Sequence, residues 1–203
     1  MVSKPRLRSR PKNPLKKQDL YLINRLRYST SGTPSQGGGF TSATGYIIVE
    51  NMKICDVLQK ETILADLKAQ NKKGILEELV APVSGIANVN QEDLVKVLME
   101  RERLGSTGIG GGIGIPHGKM KAIDSLILGF GLSRKGVDFE SLDGQPTHIF
   151  FLLITPENST GLHLKLLGRI SRILKDEPFK TRLLNATNGD EILDIIKEED
   201  EDF

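Results

Sequence analysis

The sequence predicts an α/β domain with helices packed on both faces of a sheet. Three observations carry this. Residues 125–132 and 148–154 are short, nearly continuous apolar runs, and the second, Ile-Phe-Phe-Leu-Leu-Ile, has the composition of a strand covered on both faces. Apolar stripes at helical spacing lie before and after these runs. The chain has 203 residues, 38% of them hydrophobic and 27% charged, which suits one such domain with an appendage.

The appendage is residues 1–51. As far as residue 49 it holds nine Lys/Arg against the single Asp19, a balance of +8, while the remainder carries nineteen against twenty-five, or −6. Pro5, Pro11 and Pro14 are followed by a Ser/Thr/Gly stretch from Ser29 to Gly39. Such a segment cannot bury enough apolar surface to offset chain entropy, so a basic, disordered extension is expected. Leu20, Ile23 and Leu26 are the one local set at helical spacing, and no apolar h-region marks a signal peptide. Met52, directly ahead of the first regular pattern, is a candidate start site.

Residues 52–198 are the expected domain. Cys55 lies in an amphipathic opening segment and reads as buried and inert. Ile75, Leu76, Leu79 and Val80 put a helix over 72–81. Asn90 to Asp93 is a cap-like start for a second helix, with Leu94, Val97 and Leu98 on one face and Gly105 as its stop. The strand at 148–154 ends at Thr155-Pro156. His163, Leu166, Leu167, Ile170, Ile173 and Leu174 form the stripe of a third helix, Pro178 interrupts it, and shorter helices follow at 177–186 and 190–197. Residues 199–203 read as an acidic, solvated tail.

Composition removes several function classes. No run approaches the ~18 consecutive apolar residues of a membrane helix, so no membrane insertion is expected. With one cysteine there is no intrachain disulfide, which fits a reducing, cytoplasmic setting. The absence of tryptophan and 5% aromatics argue against a stacking platform for single-stranded nucleic acid. The three histidines lack metal-ligand spacing, so no metal is expected. No cofactor motif is present either.

Residues 105–118 read G-S-T-G-I-G-G-G-I-G-I-P-H-G, seven glycines in fourteen positions. Interleaved Ile109, Ile113, Ile115 and Pro116 distinguish this from a flexible linker and suggest an ordered loop whose amides could cradle an anion. Neither a Walker loop nor a dinucleotide fingerprint closes in register. The loop delivers His117, between Pro116 and Gly118, and a neutral imidazole beside anion-binding amides suits nucleophilic attack on a phosphoryl group. The alternative at this point is a turn histidine beside a glycine hinge. Arg101 lies seven residues after Leu94, two helical turns on, so it would point toward the loop; it could equally be a charge favoured by the helix dipole. Ser106 and Thr107 could donate hydroxyls to a phosphoryl group or merely stabilise the turn. Lys119 reads as a surface charge and His148 as structural.

The string from Arg101 to Gly110, R-E-R-L-G-S-T-G-I-G, followed by I-G-I-P-H-G at 113–118, resembles the active-site signature of fructose/mannitol-type enzyme IIA domains. These belong to the bacterial phosphoenolpyruvate-dependent sugar phosphotransferase system and its nitrogen-regulatory branch. The resemblance covers about 52–198; Gly114 departs from it, standing where the family usually has alanine or valine. It implies a sandwich with a mixed, mostly parallel sheet and the site at strand ends. It implies that His117 is phosphorylated by a histidine phosphocarrier protein (HPr-like) and passes the group to a IIB domain or signals through it. Arg101 and His163 match the assisting positions, although a lone histidine opening a helix stripe could also be a core-edge residue. Ser106, Thr107, Gly108 and Gly118 are the expected phosphoryl-binding residues. G-S-T-G-I-G with I-P-H-G-K looks more like the nitrogen-regulatory branch. The competing readings are a sugar-specific IIA subunit, a regulatory binding module without onward transfer, and a nucleic-acid binder acting through the basic extension.

Overall fold

A computed structural model describes residues 52–201. The expectations for residues 1–51 lie outside the described residues. A 3-10 turn, Ile54–Asp56, opens the described chain. Strand β1 (Leu58–Leu64) and helices α1 (Lys72–Ala87) and α2 (Gln91–Arg103) follow. Three short strands come next, β2 (Gly108–Gly110), β3 (Ile113–Gly114) and β4 (His117–Met120), then the long pair β5 (Ile127–Val137) and β6 (Thr147–Pro156). Helices α3 (Thr160–Ile173), α4 (Glu177–Asn185) and α5 (Gly189–Glu201) complete the element order.

The sheet is mixed and mostly parallel, in the order β1-β5-β6-β3-β2, with β4 also paired to β6. β6 is its axis. β5 runs antiparallel along one side, and β3 and β4 run parallel along the other. β6 is apolar throughout because both faces are covered. Phe150, Leu152 and Ile154 join Ile75, Leu76, Leu79, Val83, Leu94 and Leu98 of α1 and α2 in one buried layer. The alternate residues Phe151 and Leu153 are fully buried on the opposite side, where Ile170, Phe179, Leu183 and Ile196 of α3, α4 and α5 are also buried. Phe130 and Phe151 meet edge-on with ring centroids 5.0 Å apart.

Most expected helix limits hold; the differences have physical causes. α1 is capped by the Asn71 side chain, which accepts from the Gly74 N–H, and it continues past Pro82 to Ala87 rather than stopping at 81. Pro82 removes one backbone donor, while Val83, fully buried just beyond it, keeps the last turn on the sheet. Asn90 caps α2 by accepting from the Glu92 and Asp93 N–H groups at 2.7 and 3.2 Å. Gly105 follows α2 with φ 143°. Val97, expected on the buried face, is only half-buried, and Val95 is buried in its stead.

The C-terminus corrects the expected tail: α5 runs to Glu201, and Asp200 is completely buried. Its carboxylate pairs with the Arg169 guanidinium and accepts the Cys55 N–H at 3.1 Å. This ties the opening turn, α3 and α5 together. Cys55 itself is half-buried rather than buried. Burial and the neighbouring Asp200 push its thiol up to about 12, so it carries no thiolate at neutral pH. No helix among the described residues is long and apolar enough to cross a membrane.

Candidate active site

Three elements converge near the C-terminal end of β6. β4 lies parallel to β6 with His117 opposite Leu153 and Gly118 opposite Ile154. α2 packs directly on β4: a Cβ on Gly118 would stand 2.8 Å from Val97 Cγ1. That close approach brings Arg101, in the last turn of α2, to His117. α3 starts just after β6 ends and places His163 in its first turn, 7% exposed, with its ring centroid 5.3 Å from that of His117.

The hydrogen bonds define the state of His117. Its Nδ1 lies 2.8 Å from the Ile115 carbonyl, which can only accept, so Nδ1 carries the proton. Its Nε2 accepts the Arg101 Nε–H at 3.0 Å, so Nε2 carries the lone pair. Both bonds suit the neutral ring. Burial lowers the His117 pKa below its ordinary value; the Arg101 charge adds to this, while the Ile115 carbonyl and Glu102 oppose it. Arg101 is held at its other end by Nη1, which donates to the Gly105 carbonyl at 2.9 Å. His163 is pushed down to about 4, first by burial and then by its neighbours: His117, with which it competes for a proton, and the Lys119 and Arg101 charges. Its Nδ1 lies 3.1 Å from the fully buried Thr155 Oγ1.

The glycine-rich segment is ordered, but as three short strands. The donors expected to face an anion have acceptors within the protein. The Ser106 hydroxyl donates to the Phe139 carbonyl and accepts the Gly108 N–H, both at 3.1 Å. The Thr107 N–H donates to the Glu102 carboxylate at 2.9 Å, and the Thr107 hydroxyl donates to the same carboxylate. Gly110 N–H bonds Ser141 Oγ at 3.2 Å, and Gly111 N–H bonds Asp143 at 2.8 Å. The structure therefore brings Arg101, His117, His163 and Gly118 together and uses Ser106, Thr107 and Gly108 to build the loop. At Gly114 a Cβ would lie 2.9 Å from the Phe150 ring, so that ring occupies the space of the missing side chain. Lys119 is exposed, and His148 Nδ1 bonds the Ser133 carbonyl at 3.0 Å. Among the described residues no group of three or more His, Cys, Asp or Glu side chains could hold a metal ion.

Glu102 and Thr155 have no counterpart among the expected site residues. A glutamate in the final turn of a helix opposes the dipole, which was a usable signal for the first. Thr155 carries none, because a threonine ending a strand is ordinary.

The fold and the paired histidines suit one class of protein, a phosphotransferase component, and the family comparison shows it. Residues 56–199 match the family model described as phosphoenolpyruvate-dependent sugar phosphotransferase system, EIIA 2. The chain belongs to that family. It is 37% identical over 145 residues to a nitrogen regulatory protein of Bradyrhizobium diazoefficiens, spanning 71% of this chain and 95% of that one. It is 38% identical over 150 residues to a PTS system fructose-specific EIIABC component of Bacillus subtilis, covering 73% of this chain but only 24% of that protein. Among solved structures, the nitrogen regulatory protein IIA-Ntr of Neisseria meningitidis superposes with a TM-score of 0.68 at 30% identity, covering 70% of this chain and 98% of the other. IIA mannitol of Escherichia coli gives 0.57 at 25%, covering 68% and 97%.

Proposed function

We propose that His117 accepts a phosphoryl group at Nε2 from the phosphohistidine of an HPr-like carrier protein. It then yields the group to a IIB domain or displays it to a regulatory target. The observation that carries this is the pair of bonds on the ring: Ile115 holds the proton on Nδ1 and leaves the lone pair on Nε2. In the transfer, that lone pair forms the new P–N bond. The donor's P–N bond breaks, and the donor imidazole leaves with the electron pair. The Ile115 carbonyl stabilises the positive charge that gathers on the Nδ1–H side of the phosphorylated ring.

Arg101 occupies Nε2 in the resting state, so it shifts to the phosphoryl oxygens as the group arrives. A guanidinium suits this because it can follow the charge without losing its anchor at Gly105. His163 stays neutral down to about pH 4. With the Thr155 hydroxyl donating to Nδ1, its Nε2–H is a donor for the phosphoryl group.

Between the two branches, the nitrogen-regulatory reading is favoured by the wording of the signature and by the higher TM-score with IIA-Ntr, 0.68 against 0.57 for IIA mannitol. On this reading the protein acts in the cytoplasm, with residues 1–51 as a basic extension outside the domain. The test is radiolabel transfer from phosphoenolpyruvate through the general phosphotransfer proteins, followed by a chase with isolated IIB domains. Label that loads and stays supports the regulatory role; rapid loss to a fructose- or mannitol-type IIB domain assigns the sugar branch. Absence of loading refutes both.

A further inference from the structure

Glu102 is a carboxylate placed where a helix serves it worst. It lies in the last turn of α2, against the dipole, and is 7% exposed. A buried carboxylate persists only when it is paired and hydrogen-bonded. Glu102 has both kinds of partner. Thr107 gives it the backbone N–H, at 2.9 Å from Oε1 and 3.2 Å from Oε2, and also the hydroxyl. Lys72 Nζ stands 3.3 Å from Oε2. Lys72 opens α1 and is itself largely buried, 5.0 Å over the Phe139 ring and 3.0 Å from Glu140.

The carboxylate thus joins the start of α1, the end of α2 and the start of the glycine-rich segment. The turn it closes, 102–107, contains Gly105, whose carbonyl anchors Arg101 Nη1 at 2.9 Å. The other end of the same guanidinium rests on His117 Nε2. The Gly105 N–H is also held by the Glu102 carbonyl, at 3.1 Å, so releasing Thr107 opens only the far side of the turn; that loosens the Gly105 carbonyl and with it the anchor that keeps Arg101 in register with His117.

We propose that Glu102 is a positioning residue for phosphoryl transfer: its carboxylate, clamped on Thr107, locks the 102–107 turn so that Arg101 is held over Nε2 of His117. This rests on the reading that His117 is the phosphoryl acceptor. Glu102 never touches the phosphoryl group; its whole effect passes through Arg101. Thr107 is the other half of the clamp, so its hydroxyl serves Glu102 rather than the transferred group.

The experiment is a double-mutant cycle on the rate of phosphoryl acceptance from the phosphorylated carrier protein, with each variant's fold checked by circular dichroism. Glu102→Gln keeps the shape but gives the two Thr107 donors a single amide oxygen. It slows transfer about 10- to 100-fold, the range for a reacting group displaced by about an ångström. In an Arg101→Ala background the same substitution changes the rate by less than about twofold, because the residue it acts through is gone. Thr107→Val follows the same pattern, and Thr107→Ser, which keeps the hydroxyl, restores the wild-type rate. Should Glu102→Gln fail to fold, the Thr107 pair decides the matter. Equal fold-losses with and without Arg101, or wild-type transfer by both Glu102→Gln and Thr107→Val, overturn the proposal. His117→Ala runs beside them: label on that variant refutes the assignment of His117 itself, whatever Glu102 does.

Discussion

On the proposed function, replacing Arg101 by alanine removes the cation bonded to Nε2 of His117, the nitrogen that accepts the phosphoryl group. Two contacts are lost, Nε–H to His117 Nε2 at 3.0 Å and Nη1–H to the Gly105 carbonyl at 2.9 Å. Arg101 is half-buried, so its ground-state contribution is small, about 1 kcal/mol for such hydrogen bonds. The transition state is different: close to two negative charges arrive at the site. A charge-assisted donor aimed at them contributes roughly 2–4 kcal/mol, so the substitution slows transfer about 30- to 1,000-fold. Arg101→Lys recovers part of this, since it keeps the charge and loses the planar fork. The Arg101 charge also lowers the His117 pKa. Its removal moves the acid limb of the pH–rate profile upward, toward the ordinary histidine value. Quenched-flow transfer kinetics between pH 5 and 8, alongside thermal melts, measure both effects. Transfer within a factor of two of wild type, or a loss of stability as large as the loss of rate, would refute the role of Arg101 as the anion's partner.

Three further outcomes follow from the same geometry. Both site histidines are neutral when folded and have lowered pKa values, so the unfolded chain binds more protons below 6.5. Unfolding free energy therefore rises with pH from about 4 to about 6.5 and is flat above, and His163→Gln reduces that slope in urea melts across the range. Gly118→Ala sets a Cβ 2.8 Å from Val97 Cγ1, costs about 1–3 kcal/mol of stability and slows transfer by parting α2 from β4; an unchanged melt contradicts the close packing. Removing residues 1–51, basic and poor in apolar side chains, leaves the melting temperature and phosphoryl acceptance nearly unchanged, and a melting temperature lowered by many degrees contradicts this.

The legible parts of the fold were those whose local pattern and tertiary role agree. Asn90 with the Leu94/Leu98 stripe places α2, and counting two turns on places Arg101 beside the loop. The apolar run of β6 and the His163–Leu174 stripe were equally plain, because each element buries what its period exposes. β1 was hidden: Gln59, Lys60 and Glu61 are exposed on an outer strand, so neither alternation nor a continuous apolar run marks it. β2, β3 and β4 are two to four residues long and hold several of the glycines; β3 and β4 are strands only because β6, far along the chain, offers them a ladder, and β2 only because β3 does. The C-terminal acidic run looked solvated because the partner that buries Asp200 is Arg169, thirty-one residues away. The Glu102–Thr107 clamp shares that difficulty in milder form. Its residues sit within the signature, but their side chains bond each other rather than His117.

The central claim is that Nε2 of His117 carries the phosphoryl group, and nitrogen-detected NMR reads it directly. With histidines labelled by 15N, the resting protein should show His117 neutral at pH 7 with its proton on Nδ1. After incubation with phosphoenolpyruvate and the general phosphotransfer proteins, the His117 Nε2 resonance should shift and show coupling to phosphorus, while the Nδ1 proton remains. Coupling at Nδ1, or at either nitrogen of His163, contradicts the account.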